Sequence, residues 1–141
     1  MSAPGVIRGL GPGGRPGLVD YRLARRNLID GFRKGRVARN DVCDAHPELI
    51  RAATNIGDPI DGEPCPICEE VDLVHVRYVF GPRLPKHGRC VADQAEMAKL
   101  AARAGDVTCY VVEVCRSCHW NHLARSHELT SVASKPTRRR R

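Results

Sequence analysis

Four cysteines of this 141-residue chain fall in two Cys-x-x-Cys pairs, Cys65-Pro66-Ile67-Cys68 and Cys115-Arg116-Ser117-Cys118. No other feature restricts the possible folds so much. A Cys-x-x-Cys turn presents two sulfurs to one side of an ion while its backbone N–H groups point back at those sulfurs. Two such turns complete a tetrahedral shell of soft donors, the shell zinc prefers. The stretch between the pairs, residues 69–114, is longer than the roughly 15–20 residues of the simple two-knuckle pattern. It holds two strand-like runs and an Ala-rich helical run, so the length reads as an insertion within a zinc-ribbon-like sheet.

Other chemistries of paired cysteines fit less well. A thiol oxidoreductase needs one such pair at a helix N-terminus, where the thiolate is stabilised, whereas both pairs here border strand-like sequence. Cys115 to His119 spells the c-type haem attachment motif, but the four-cysteine pairing already uses those residues. His119 and His122 lie close enough to Cys118 to replace one cysteine as a ligand. Cys43 and Cys109 stand alone in apolar settings and read as packing residues. His87 with Cys90 supplies too few ligands for a second ion. Cys43 with His46 resembles a nucleophile and base in composition only, and no oxyanion donors or orienting acid accompany them. No catalytic residue is assigned.

Net charge is +7, with 23 basic and 16 acidic residues. Arg8 and Arg15 near the start and Lys135, Arg138, Arg139, Arg140 and Arg141 at the end account for 7 of the 23, leaving 16 against 16. The centre of the chain is formally neutral, and basicity belongs mainly to the termini. Within the centre, charge is segregated: Arg22 to Arg39 carries seven bases and one acid, and Asp41 to Asp72 carries nine acids and one base. The plain expectation is that these two segments pair with each other; the alternative is that the basic one is a docking surface. No apolar run reaches the roughly 20 residues of a membrane helix, and the Gly/Pro-rich start lacks the apolar stretch of a secretory signal. A cytoplasmic protein, where reducing conditions disfavour disulfides, is expected.

The local pattern predicts an α+β protein in four segments. Residues 1–18 form a flexible Gly/Pro-rich head, and 19–57 a helical segment. Residues 58–130 form the zinc-ribbon-like domain with a helix inserted near 93–104, and 131–141 a disordered basic tail. A helix is expected from Val19 to Lys34, with Tyr21, Ala24, Leu28 and Phe32 on one face, Arg22, Arg26 and Arg33 on another, and Gly35 at its end. A short turn capped by Asn40 or Asp41 follows, then a helix from His46–Pro47 to about Gly57 capped by Asp44. Leu73 to Phe80 and Val107 to Val114 are expected strands that lie antiparallel, with the ion at one end. Arg83 to Val91 reads as a loop, Asp93 and Glu96 as a capping box, and Trp120 to Leu129 as a last extended segment.

Read together, DVCDAHPELIRAA (Asp41 to Ala53), CPIC (Cys65 to Cys68) and YVVEVCRSCHWNHL (Tyr110 to Leu123) resemble a small actinobacterial domain-of-unknown-function family. The resemblance spans about residues 19–129. It implies a zinc-ribbon-like cytoplasmic protein and supplies no activity. The expected function is a non-enzymatic accessory factor that binds RNA or a nucleoprotein machine such as the ribosome or the transcribing RNA polymerase. The basic residues Arg22, Arg26, Arg33 and Arg138 to Arg141 would contact phosphate, and Trp120 would stack on a base. Tyr78 and Tyr110 are assigned to the core. The alternative is a zinc-stabilised protein-interaction adaptor. Neither a membrane nor a small-molecule substrate is expected.

Overall fold

The structure, a computed structural model, describes residues 18–86, 88–92 and 94–129. Its elements in order are β1 (Leu18–Asp20), α1 (Arg22–Arg33), α2 (Arg39–Val42), α3 (Pro47–Ile56), β2 (Asp58–Pro64), β3 (Asp72–Phe80), β4 (Arg89–Val91), α4 (Gln94–Ala104), β5 (Val107–Val114) and β6 (Asn121–Leu129). All pairings are antiparallel in the order β1-β6-β5-β3-β2, and β4 lies beyond β2 along the same flank of β3. This is the expected α+β class built on an antiparallel sheet.

The two β-branched runs form the middle of that sheet, β3 against β5 from Val74↔Val114 to Phe80↔Thr108. Side chains alternate between the two faces of a strand. Val107, Cys109 and Val111 of β5 and Val79 of β3 therefore share one face, where Met97 and Leu100 of α4 cover them. Val112 and Val114 with Val74, Val76 and Tyr78 form the other, against Leu49, Ile50 and Ala53 of α3. Each fully buried aliphatic side chain here contributes about 1.5–3 kcal/mol. Gly57 lets α3 approach β3 closely: a Cβ there would collide with the Ala53 carbonyl oxygen and lie 2.8 Å from Val74.

The helical residues do not stand apart from the sheet. Leu18–Asp20 is a strand on β6, so α1 begins at Arg22 rather than Val19, and the rest of the expected head, residues 1–17, lies outside the described residues. Strand pairing with His127, Ser126 and Arg125 overrides the helical spacing there. α1 buries Ile29 and Gly31 with Leu28 and Phe32 alongside, while Ala24 of the expected apolar face is exposed. Gly35, at φ 77°, ends α1 through a Schellman turn: its N–H donates to the Phe32 carbonyl at 3.0 Å and Arg36 N–H to the Gly31 carbonyl at 2.8 Å.

Two further expectations are corrected. His46, not Asp44, caps α3, its Nδ1 accepting the Glu48 N–H at 3.1 Å; the Asp44 carboxylate instead accepts from the Asn121 side-chain amide at 3.0 Å. The expected loop from Arg83 to Val91 contains strand β4, and β2 is a strand for which the sequence gives no expectation, since DPIDGEP and RCV lack an alternating apolar pattern. Both lie on an outer flank of β3, where prolines and polar residues are tolerated. The short turn forms as α2, with Asp41 accepting the Ala38 N–H at 3.1 Å. Asp93 lies outside the described residues, though the Glu96 carboxylate accepts the Ala92 N–H at 2.9 Å beside it.

Candidate metal centre

Both Cys-x-x-Cys turns sit at the same end of the sheet because β3 and β5 are antiparallel: the first turn precedes β3 and the second follows β5. The turns have matching backbones. Cys65 N–H donates to the Val71 carbonyl at 2.9 Å and Cys115 N–H to the Trp120 carbonyl at 2.8 Å. Glu69 N–H then donates to the Cys65 carbonyl at 3.0 Å, and His119 N–H to the Cys115 carbonyl at 3.1 Å. The residue after each pair is left-handed, Glu69 at φ 58° and His119 at φ 76°. That conformation costs a non-glycine residue about 1–2 kcal/mol, and the hydrogen bonds around each turn hold it.

This frame brings four sulfurs together. The Sγ atoms of Cys65, Cys68, Cys115 and Cys118 all lie within 4.8 Å of one another. Cys65 and Cys118 are 3.6 Å apart, and Cys68 and Cys115 3.7 Å. Backbone N–H groups point at the sulfurs, Ile67 at Cys65 (3.4 Å), Glu70 at Cys68 (3.5 Å), and Ser117 and Cys118 at Cys115 (both 3.3 Å). Cys65 and Cys115 are fully buried, and Cys68 and Cys118 are half-buried. Burial pushes the Cys65 thiol up to about 11. It also raises Cys118, with the Cys43 thiol adding to the effect. For Cys68, burial is outweighed by the Glu70 N–H and neighbouring thiols, and its pKa falls. Four thiolates this close need a cation between them. The cluster could hold one metal ion in a closed shell.

Neither histidine belongs to that shell. His119 is exposed, and its carbonyl accepts the Ala45 N–H at 3.0 Å. His122 stacks on Trp120 at 5.8 Å and donates from Nδ1 to the Leu123 carbonyl at 2.7 Å.

Cys109 is a packing residue, fully buried, its thiol pushed to about 11 by burial. Cys90 sits on β4 opposite Tyr78, while its suggested partner His87 lies outside the described residues. Cys43 departs from the expectation. It packs against the knuckle core, but its Sγ also lies 3.3 Å from Cys118 Sγ.

Trp120 is corrected outright as a base-stacking residue, being fully buried. Its indole Nε1–H donates to Glu113 Oε2 at 2.8 Å, and Arg25 Nε–H donates to the same oxygen at 2.7 Å. Glu113 is itself buried, so this carboxylate ties α1 to the ring beneath the second knuckle. In sequence, Glu113 was hidden inside the strand pattern of VTCYVVEV. Tyr110 is buried and packs edge-on to Phe80 at 5.4 Å, and Tyr78 is half-buried, as assigned.

Arg22, Arg26 and Arg33 do share a surface. With Arg25, Ile29, Asp30 and Pro66 they line a shallow groove of about 310 Å³ between α1 and the first knuckle. Arg25 and Pro66 were not singled out in sequence, although Arg25 falls one helical turn after Arg22. Among the described residues no ion pair joins the basic segment to the acidic one. Arg22 pairs with Asp20, Arg25 with Glu113, and Asp58 with Arg77. The internal charge pairing expected from sequence does not form. Arg138 to Arg141 lie outside the described residues.

No helix among the described residues is long and apolar enough to cross a membrane. No solved structure matches the chain. It is 41% identical over 120 residues to the uncharacterized proteins Rv0049 of Mycobacterium tuberculosis and Mb0050 of Mycobacterium bovis, covering 85% of this chain and 85% of each relative. A model of a family of unknown function, DUF5318, matches residues 14–141, and the chain with its paired cysteine knuckles belongs to that family.

Proposed function

We propose that the protein is a non-catalytic, zinc-stabilised accessory factor of the cytoplasm. It would bind the phosphate backbone of RNA, alone or within a nucleoprotein machine such as the ribosome or RNA polymerase. The observation that carries this reading is the union of the arginine groove with the sulfur cluster: Pro66, between Cys65 and Cys68, is a wall of the groove that Arg22, Arg25, Arg26 and Arg33 line. A shell that holds the knuckle also holds that wall.

Zinc is the ion of choice on donor chemistry. Four sulfurs with Zn–S bonds near 2.3 Å would stand about 3.8 Å apart, close to the 3.6 and 3.7 Å found. Bound there, zinc would supply binding energy coupled to folding, on the order of 10 kcal/mol or more. A closed four-sulfur shell leaves no open position for a substrate, which supports a structural role.

Shallow shape and positive charge suit a phosphate backbone better than a small molecule, which prefers an enclosed apolar pocket. Arg26 and Arg33 are exposed, with no ion pair among the described residues, and so are available to phosphate. Asp30 limits the density of anionic charge the groove would accept.

The test is fluorescence anisotropy of the zinc-loaded protein with a single-stranded RNA. Affinity should fall at least about tenfold between roughly 50 and 200 mM salt. Arg26→Gln with Arg33→Gln, and separately removal of Arg138 to Arg141, should each weaken binding and flatten the salt dependence. Binding that ignores salt and both variants would contradict the reading. A protein partner kept after nuclease treatment, with no affinity for RNA, would select the adaptor instead.

A further inference from the structure

The metal end contains a fifth sulfur. Cys43 follows α2 directly, and three contacts hold its neighbourhood against the second knuckle. Cys43 Sγ lies 3.3 Å from Cys118 Sγ, Ala45 N–H donates to the His119 carbonyl at 3.0 Å, and Asn121 donates to Asp44 at 3.0 Å. The Cys43–Cys118 separation is shorter than the 3.6 Å between Cys65 and Cys118 and the 3.7 Å between Cys68 and Cys115. Sulfurs sharing a tetrahedral zinc with bonds of about 2.3 Å stand about 3.8 Å apart, and the 3.3 Å gap falls short of that spacing. A disulfide would need the two sulfurs to close from 3.3 Å to roughly 2.05 Å.

Access singles out the same pair. Cys65 and Cys115 are fully buried, whereas Cys43, Cys68 and Cys118 are each partly open to solvent. Of the two accessible cysteines in the four-sulfur cluster, Cys118 has a thiol from outside the cluster beside it. We infer that Cys43 and Cys118 form a peroxide-responsive modification site, whose disulfide takes Cys118 out of the ligand set. The inference rests on reading the four cysteines as a metal shell.

The chemistry balances with a hydroperoxide as oxidant. The Cys118 thiolate attacks one peroxide oxygen, the O–O bond breaks, and Cys118 becomes a sulfenic acid as hydroxide leaves. Cys43 sulfur then attacks the Cys118 sulfur, forming the S–S bond and expelling the hydroxyl, which leaves as water with the Cys43 proton. Each sulfur gives up one electron in the sum, and the peroxide takes both. Three thiolates then remain at the cluster, Cys115 is the second knuckle's one remaining ligand, and Cys118 is tied to the residue that follows α2. The Pro66 wall of the arginine groove then keeps one of its two sulfur links to the second knuckle. Oxidation would therefore couple loss of the ion to loosening of the groove.

The test treats the full-length, zinc-loaded protein with hydrogen peroxide while a chromogenic chelator reads released metal and mass spectrometry maps disulfides. Wild type should release its ion as the intact mass falls by two hydrogens, with Cys43–Cys118 the main cross-linked peptide. Cys43→Ser should release the ion at least about tenfold more slowly, because the second thiol is missing. A map dominated by Cys65–Cys68 or Cys115–Cys118, or equal release from Cys43→Ser, would overturn the inference. The wild-type map decides the matter even if the variant folds poorly. Protein that carries no metal when purified under reducing conditions would overturn the shell reading and ion release with it, and the map would still report whether Cys43 and Cys118 pair.

Discussion

The two ends of the sheet bury comparable sets of side chains by different means. At the α4 end, Val79, Val91, Met97, Leu100, Val107, Cys109 and Val111 meet one another through apolar contacts. At the knuckle end, Ile29, Val42, Ile67, Leu73 and Trp120 surround Cys65 and Cys115, with Cys68, Cys118 and Cys43 at the margin. Cys109 and Cys65 make the contrast sharp. Both are fully exposed to nothing but protein, and burial pushes each thiol to about 11. Cys109 has aliphatic neighbours and can stay a neutral, oily thiol. Cys65 belongs to a cluster of four sulfurs within 4.8 Å, which a cation would convert from a crowded pocket into a clamp. The lesson is that burial and acidity alone do not identify a ligand cysteine here; the neighbouring sulfurs do.

The sharpest way to break this comparison is to remove one sulfur at each end. Cys115→Ser should lose stoichiometric metal and destabilise the protein by several kcal/mol, since the shell's binding energy is coupled to folding. Cys109→Ser should keep one ion per chain and cost about 1–3 kcal/mol, the penalty of burying a hydroxyl in an apolar site. Metal analysis with urea unfolding checks both, and equal metal loss in the two variants would erase the distinction between the ends.

A smaller effect probes the polar surface between the ends. His75 and His127 are held below the ordinary 6.5, first by burial and then by Arg125; Arg77 adds to this at both, while Glu113 and Asp58 oppose it at His75. The unfolded chain therefore binds more protons than the folded one as pH falls through 6.5. The stability tied to these rings is present above that pH and is lost below it. Arg125→Gln should bring both rings nearer 6.5 and reduce the loss between about pH 7.5 and 5.5, by less than either cysteine substitution changes stability. Urea unfolding of wild type and variant at the two pH values measures this, and identical pH dependence would contradict it.

What was legible in the sequence follows the same division. Cys-x-x-Cys spacing identified the four clustered sulfurs, and β-branched runs located β3 and β5, because in both cases neighbouring residues carry the signal. Trp120 was misread because only its place beside Glu113 and under α1 shows that its indole N–H is used internally. Cys43 and Arg25 acquire their roles through partners 75 and 88 residues away, a separation no local pattern spans. β2 and β4 escaped because outer strands need not alternate. The charge segregation was plain in sequence, but whether its halves meet depended on how α1 is docked.

The central claim is that an ion at the four cysteines holds the knuckle end, and hydrogen exchange with and without a zinc chelator tests it most directly. Protein purified under reducing conditions should carry one zinc ion per chain. Chelation should abolish amide protection in the two knuckles and in α1, well before β3 and β5 lose theirs beneath α4. Metal-free protein with the same melting temperature and undiminished protection at Cys65 to Val71 and Cys115 to Trp120 would contradict the account.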